Sequence, residues 1–235
     1  MSNDSRLDKI RGLLAKAEAS TFAEEAEAYT AKATELISKW GLEDALREAK
    51  QQDRPSITDK IIKMEGSYQR EKGLLLELVA RGLGNRAIQR VGTKPHQVHV
   101  FGTETDIVRI ELLFTSLLVQ ASQGLASAEP YRYGESIKAY RRSWLDGFAK
   151  TIYARLQEVH ERSATEAGPG TDLVLADRSA LVNQRVAVFY PSVKSIKRRL
   201  TGSGRREGAL AGARANLSTG EGQVHNDSQR PAVTR

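Results

Sequence analysis

The chain has 235 residues, 40% of them hydrophobic, with no cysteine and a formal net charge of +7. A chain of that length buries about 70% of its unfolded surface, so the core needs no metal or disulfide, and the missing cysteines exclude disulfide scaffolds, thiolate zinc sites and cysteine nucleophiles. No apolar run reaches the roughly 18 residues of a membrane span and the N-terminus lacks an apolar signal core, so a soluble, cytoplasmic protein with no membrane partner is expected.

Ser5 and Asp8 have the spacing of a capping box, in which a side-chain oxygen and an acid three residues on satisfy each other's backbone N–H. A helix is expected to start there, and Leu7, Ile10, Leu13, Leu14 and Ala17 recur on one face of its 3.6-residue period. Thr21 and Glu24 repeat the signal, followed by a stripe of Phe22, Ala26, Tyr29, Ala33, Leu36 and Trp40. Gly41 is expected to end this second helix, because glycine reaches the left-handed conformation without a Cβ penalty and Leu42 can fold back on the last turn. Helices joined so tightly pack antiparallel. The expectation is an N-terminal helical hairpin domain over residues 1–46 and, over 47–56, a polar linker or a fraying helix end.

Along the hairpin, Lys9-Ile10-Arg11, Leu13-Leu14-Ala15-Lys16-Ala17-Glu18, Glu25-Ala26-Glu27-Ala28, Ala31-Lys32-Ala33, Glu35-Leu36 and Trp40-Gly41-Leu42 resemble the domain of unknown function 2786, a family of bacteria and their phages. Further on, Phe101-Gly102-Thr103-Glu104-Thr105-Asp106 and Arg142-Ser143-Trp144-Leu145-Asp146-Gly147-Phe148 resemble a second region that often follows it. The resemblance implies no catalytic residue and no cofactor.

Downstream, Ile57, Ile61 and Ile62 suggest a short strand over 57–64, and Leu74, Leu75, Leu76, Leu78 and Val79 an apolar helix over 71–83. Strands are expected near 87–91 and 97–101, with a turn at Gly92 to Pro95. Thr103 and Asp106 cap a long helix over 104–126 whose apolar residues cover more than one face, so it should be central and buried. After Glu129-Pro130 a second long helix is expected over 135–165. Leu173-Val174-Leu175 reads as a short strand and 177–187 as a helix. The fold class is therefore α+β and helix-rich: the hairpin, then an α+β domain over 57–200 with a small antiparallel sheet packed by long helices. Residues 201–235 read as a basic Gly/Ser/Arg-rich tail, largely disordered, with a short helix near 207–217.

Motifs of known chemistry are weak. His96 and His99 lie three apart on an expected strand, which turns them to opposite faces and away from a shared metal. His160-Glu161 begins like the zinc-protease motif, but Ala164 stands where the second histidine must be. Gly82-Leu83-Gly84-Asn85-Arg86-Ala87 matches a dinucleotide fingerprint in letters only, since it follows a helix and precedes a strand. No metal and no cofactor are expected, and the chain is read as more consistent with a non-enzyme.

Charge carries the functional signal. Residues 1–57 hold 9 basic and 11 acidic side chains, residues 58–130 hold 9 and 8, and residues 131–235 hold 18 and 10. Lys138, Arg141 and Arg142 stand near Tyr140 and Trp144, and Lys194, Lys197, Arg198, Arg199, Arg205 and Arg206 form a run beside Tyr190. Cations hold phosphates and aromatic faces stack on unpaired bases, so Arg141, Arg142, Lys194, Lys197, Arg198, Arg199, Arg205 and Arg206 are the candidate nucleic-acid contacts. The alternative is a protein-interaction or assembly module whose hairpin docks on a partner or a second copy through Phe22, Tyr29 and Trp40.

Overall fold

A computed structural model describes residues 2–51, 54–130, 132–194 and 199–215. The described residues form, in order, α1 (Asn3–Ala19), α2 (Ala23–Gln51), β1 (Thr58–Lys63), α3 (Gln69–Gly82), β2 (Arg86–Arg90), β3 (Gln97–Gly102), α4 (Glu104–Ala126), α5 (Ile137–Glu166), α6 (Thr171–Phe189) and α7 (Arg205–Arg214). The fold is helix-rich α+β, and α1 packs against α2.

The three strands form one antiparallel sheet in the order β1-β3-β2, with Ile61 and Ile88 both opposite His99. Side chains alternate across a strand. Val98 and Val100 therefore enter the main core with α1 to α5, whereas Phe101 joins Val182 and Val186 of α6 in a second cluster on the other face. Gly73 in mid-α3 lets the helix close on the sheet, since a Cβ there would stand 3.0 Å from the His96 ring and 3.1 Å from Val98.

Several starts and stops differ from the sequence reading. α1 begins two residues before Ser5, capped by Ser2, whose Oγ accepts the Ser5 N–H at 3.3 Å. Ser20 takes the part expected of Thr21, accepting the Phe22 N–H at 3.2 Å just ahead of α2. α2 does not stop at Gly41 but continues to Gln51, making the first half of the expected linker helical. Tertiary contacts sustain it: Leu42 and Ala45 are buried, and the bare Gly41 lies against Arg109, 3.6 Å from where its Cβ would be. Leu173-Val174-Leu175 lies within the opening turns of α6 and is not a strand. Gly170, at φ 85°, ends the preceding chain segment, and Thr171 Oγ bonds to the Gly168 carbonyl at 2.8 Å.

The largest departure lies at the C-terminal end, where residues 202–215 pack tightly on α5. Gly204, Gly208 and Gly212 recur every four residues, and a Cβ on each would stand 2.7, 1.8 and 2.8 Å from the carbonyl oxygens of Tyr140, Trp144 and Phe148. Gly147 answers from α5, 2.1 Å from the Arg205 carbonyl by the same measure. Small residues on both sides let two backbones meet. Side-chain bonds fasten the contact: Tyr140 to Glu207, Ser203 to Glu135, and the Arg155 guanidinium to the Gly212 and Ala215 carbonyls that end α7. The tail beyond residue 215, expected to be disordered, lies outside the described residues.

Candidate nucleic-acid interface

Members of both basic clusters meet on one face. A cleft of about 1090 Å3 runs between α3, β2, α5 and the described residues Val193, Lys194, Arg199, Leu200 and Arg205. Lys194, Arg199 and Arg205 line it, and Arg142 lines an adjoining depression of about 660 Å3 that shares Arg70, Glu71 and His96 with the cleft. Arg206 is exposed on α7 but lines neither hollow, and Arg141 is half-buried with no hydrogen-bond partner for its Nε. Lys197 and Arg198 lie outside the described residues.

Sequence reasoning missed half of this surface. Arg70 and Arg81 come from α3, Arg86 from β2 and Lys150 from α5, and Lys94 joins Lys138, already marked by the sequence beside Arg141 and Arg142, in the smaller hollow. A signal was present in α3, where Arg70, Leu74, Glu77 and Arg81 follow steps of four and three and so form a single stripe along the cleft.

The acids in the hollows are already engaged. Glu71, 4% exposed, takes Arg142 Nε at 3.0 Å. Asp146 takes Lys150 at 2.9 Å and Arg205 at 3.0 Å, and Glu77 takes the Gln89 amide at 2.6 Å. Arg70, Arg86, Lys94, Lys138, Lys194 and Arg199 form no ion pair among the described residues. Unpaired cations around a concave surface concentrate a positive field toward which polyanions are drawn.

The aromatic half of the expectation is corrected by burial. Tyr140 is fully buried and Trp144 is 3% exposed, its ring stacked on Phe148 at 5.4 Å, so neither face is open to a base. Tyr190 is engaged beneath α6, where its hydroxyl shares a hydrogen bond with His99 Nδ1 at 3.0 Å while His99 Nε2 meets Asp59 at 2.8 Å. Burial raises the Tyr190 phenol above its ordinary value. Burial works to raise Asp59 too, but the bonds from His99 and Arg185 outweigh it and hold the carboxyl below its ordinary value. This chain of groups fastens α6 to the sheet. Of the residues proposed as partner anchors, Trp40 is buried and Tyr29 is half-buried beside Lys16, leaving Phe22, at 69% exposure, on the surface.

Among the described residues no group of three or more histidine, aspartate or glutamate side chains is placed to hold a metal ion, and no helix is long and apolar enough to cross a membrane. No curated protein and no solved structure matches the chain. Residues 6–44, which cover most of α1 and the first three-quarters of α2, match the family model described as protein of unknown function DUF2786.

Proposed function

We propose that this protein binds nucleic acid without catalysing a reaction on it, holding the sugar–phosphate backbone in the cationic cleft that Lys194, Arg199 and Arg205 form with α3, β2 and α5. The observation that carries the reading is the set of six cations, Arg70, Arg86, Lys94, Lys138, Lys194 and Arg199, with no acidic partner among the described residues around two joined hollows. With Tyr140 and Trp144 buried, the contact is to phosphates and not to bases, so binding should be tight at low salt, weakly sequence-dependent and steeply salt-dependent. The alternative hairpin module has less in its favour, because Phe22 alone of its three anchors stands clear of the core.

Fluorescence anisotropy of the full chain with labelled duplex and single-stranded oligonucleotides across a salt series tests this. Six engaged phosphates give a log–log slope of about −5 on duplex. The triple variant Arg70→Glu, Arg86→Glu, Lys194→Glu should flatten that slope by about 3, one for each phosphate no longer held. Undetectable binding at low salt, or a reversal that leaves slope and affinity unchanged, refutes the reading.

A further inference from the structure

Two arginines of the cationic surface are held in the same way. Arg142 of α5 donates its Nε–H to Glu71 Oε1 at 3.0 Å. Arg205, at the start of α7, brings its Nε to 3.0 Å from Asp146 Oδ2. In both pairs the acid lies deeper than the arginine: the Glu71 and Asp146 side chains are 4% and 9% exposed, those of Arg142 and Arg205 37% and 55%. Each guanidinium is thus pinned by its inner nitrogen, and its Nη groups form no hydrogen bond or ion pair among the described residues. An arginine pinned at Nε keeps four of its five N–H donors.

The elements that build the cleft share this arrangement. Arg142, Asp146 and Lys150 follow at steps of four and form one stripe of α5 that runs through both hollows. Asp146 also accepts from the Lys150 ammonium at 2.9 Å, so one nearly buried acid fixes two cations. The Arg205 main chain is itself set against α5, with its carbonyl over Gly147, the neighbour of Asp146.

The acids act on a polyanion in two opposite ways. Their charge repels it, but charges near water interact weakly and salt screens them, so removing one acid should tighten binding by less than about threefold. Their grip on the arginines favours it, because a loose arginine loses rotamer freedom when it takes a phosphate, at a cost of about two- to tenfold in affinity for each side chain ordered. A guanidinium already fixed, with its Nη fork free, meets two phosphate oxygens without that loss. Asp146 fixes two side chains, so for it the second effect wins.

We infer that Glu71 and Asp146 are positioning residues for the backbone contact: they hold Arg142 and Arg205 by Nε so that each presents its Nη pair to a phosphate. The inference rests on the nucleic-acid reading and adds to it two contacts from arginines whose charge is already compensated.

Fluorescence anisotropy of the full chain on labelled duplex and single-stranded oligonucleotides tests it. Asp146→Ala removes a negative charge from the cleft and should nevertheless weaken binding about two- to tenfold. Arg142→Lys and Arg205→Lys, at positions that reach solvent, keep the charge without the fork, and each should weaken binding about threefold or more with the urea midpoint unchanged. In a background carrying Lys150→Gln and Arg205→Gln, Asp146→Ala should no longer weaken binding, whereas a role in the fold alone would weaken it in both backgrounds. The inference is overturned if Asp146→Ala binds as tightly as the parent or more so, if either lysine variant matches the parent, or if the loss persists without Lys150 and Arg205. In all three outcomes the parent still binds. A parent that binds no oligonucleotide at low salt refutes the nucleic-acid reading itself, and this inference with it.

Discussion

Replacing Gly208 by alanine sets two effects of opposite sign against each other. In an exposed helix interior the change stabilises by about 1 kcal/mol, because alanine loses less backbone freedom on folding. In α7 the new methyl would stand 1.8 Å from the Trp144 carbonyl oxygen and 2.6 Å from its carbon. Those are main-chain atoms of α5, which no rotamer change can move aside. Sliding along the ridge gives no relief, since Gly204 and Gly212 are themselves within 2.8 Å of the Tyr140 and Phe148 carbonyl oxygens by the same measure. Overpacking of this kind costs about 1–3 kcal/mol, more where backbones must part, so the steric effect wins and Gly208→Ala should destabilise by about 2 kcal/mol net. Gly12, in the middle of α1 with nothing within 4 Å of its Cβ position, is the matched control, and Gly12→Ala should stabilise by about 0.5–1 kcal/mol. Urea unfolding followed by circular dichroism measures both, and faster trypsin cleavage after Arg205 and Arg206 reports α7 lifting from α5. A Gly208→Ala protein as stable as the parent would refute the close approach of the two helices.

Asp44 accepts from Arg109 at 2.6 Å, Arg6 at 3.1 Å and Arg47 at 3.3 Å. Asp44→Asn leaves the buried Arg109 with only Asp106 at 3.3 Å and should cost about 3–5 kcal/mol in urea titrations. Arg109→Met should cost less, because Arg6 and Arg47 still compensate Asp44; a cost under about 1 kcal/mol for the asparagine variant, or the reverse order, counts against a buried network. Burial lowers the His160 pKa from an ordinary 6.5. The unfolded chain therefore takes up a proton that the folded one resists, so this stability is fully present above 6.5 and is lost as pH falls through the lowered folded value. His160→Gln should flatten the decline of the urea midpoint between about pH 7 and 5, and an identical decline in both proteins would be the contrary result.

Most helices were legible because their signals are local. The Thr103 hydroxyl accepts the Asp106 N–H at 3.2 Å, as the spacing of the two residues predicts, and α4 spans 104–126 as its apolar run requires. What escaped the sequence was decided by partners far along the chain. Gly41 carries a stop signal in isolation, yet it is a contact point for Arg109, 68 positions later. A short helix was expected around Gly208 and Gly212, but its docking through the glycines at 204, 208 and 212 was not, because they bury backbone against backbone and leave no apolar stripe to count. The cleft divides in the same way. Lys194, Arg199 and Arg205 stand out as a run, whereas Arg70, Arg81 and Arg86 lie more than 100 residues before it on elements judged by their apolar faces.

The matched segment and the proposed gripping surface are different parts of the molecule. Arg6 and Asp44, the first and last residues of the match, bond to each other at 3.1 Å. Asp44 then ties the helical pair to α4 through Arg109, and Arg178 reaches from α6 to the Gly41 carbonyl at 3.5 Å. The pair is thus bolted into the core, and its removal would take Leu36, Ile37 and Trp40 out of the main cluster and expose the residues they pack on. No residue of 6–44 lines either cationic hollow. A chain that shares only the matched segment therefore inherits none of the cations lining the cleft. Nucleic-acid binding should follow Arg70, Arg86, Lys194 and Arg199. Substitutions on the exposed face of the helical pair are expected to leave it intact, and one that abolishes binding while the chain remains folded would break this division.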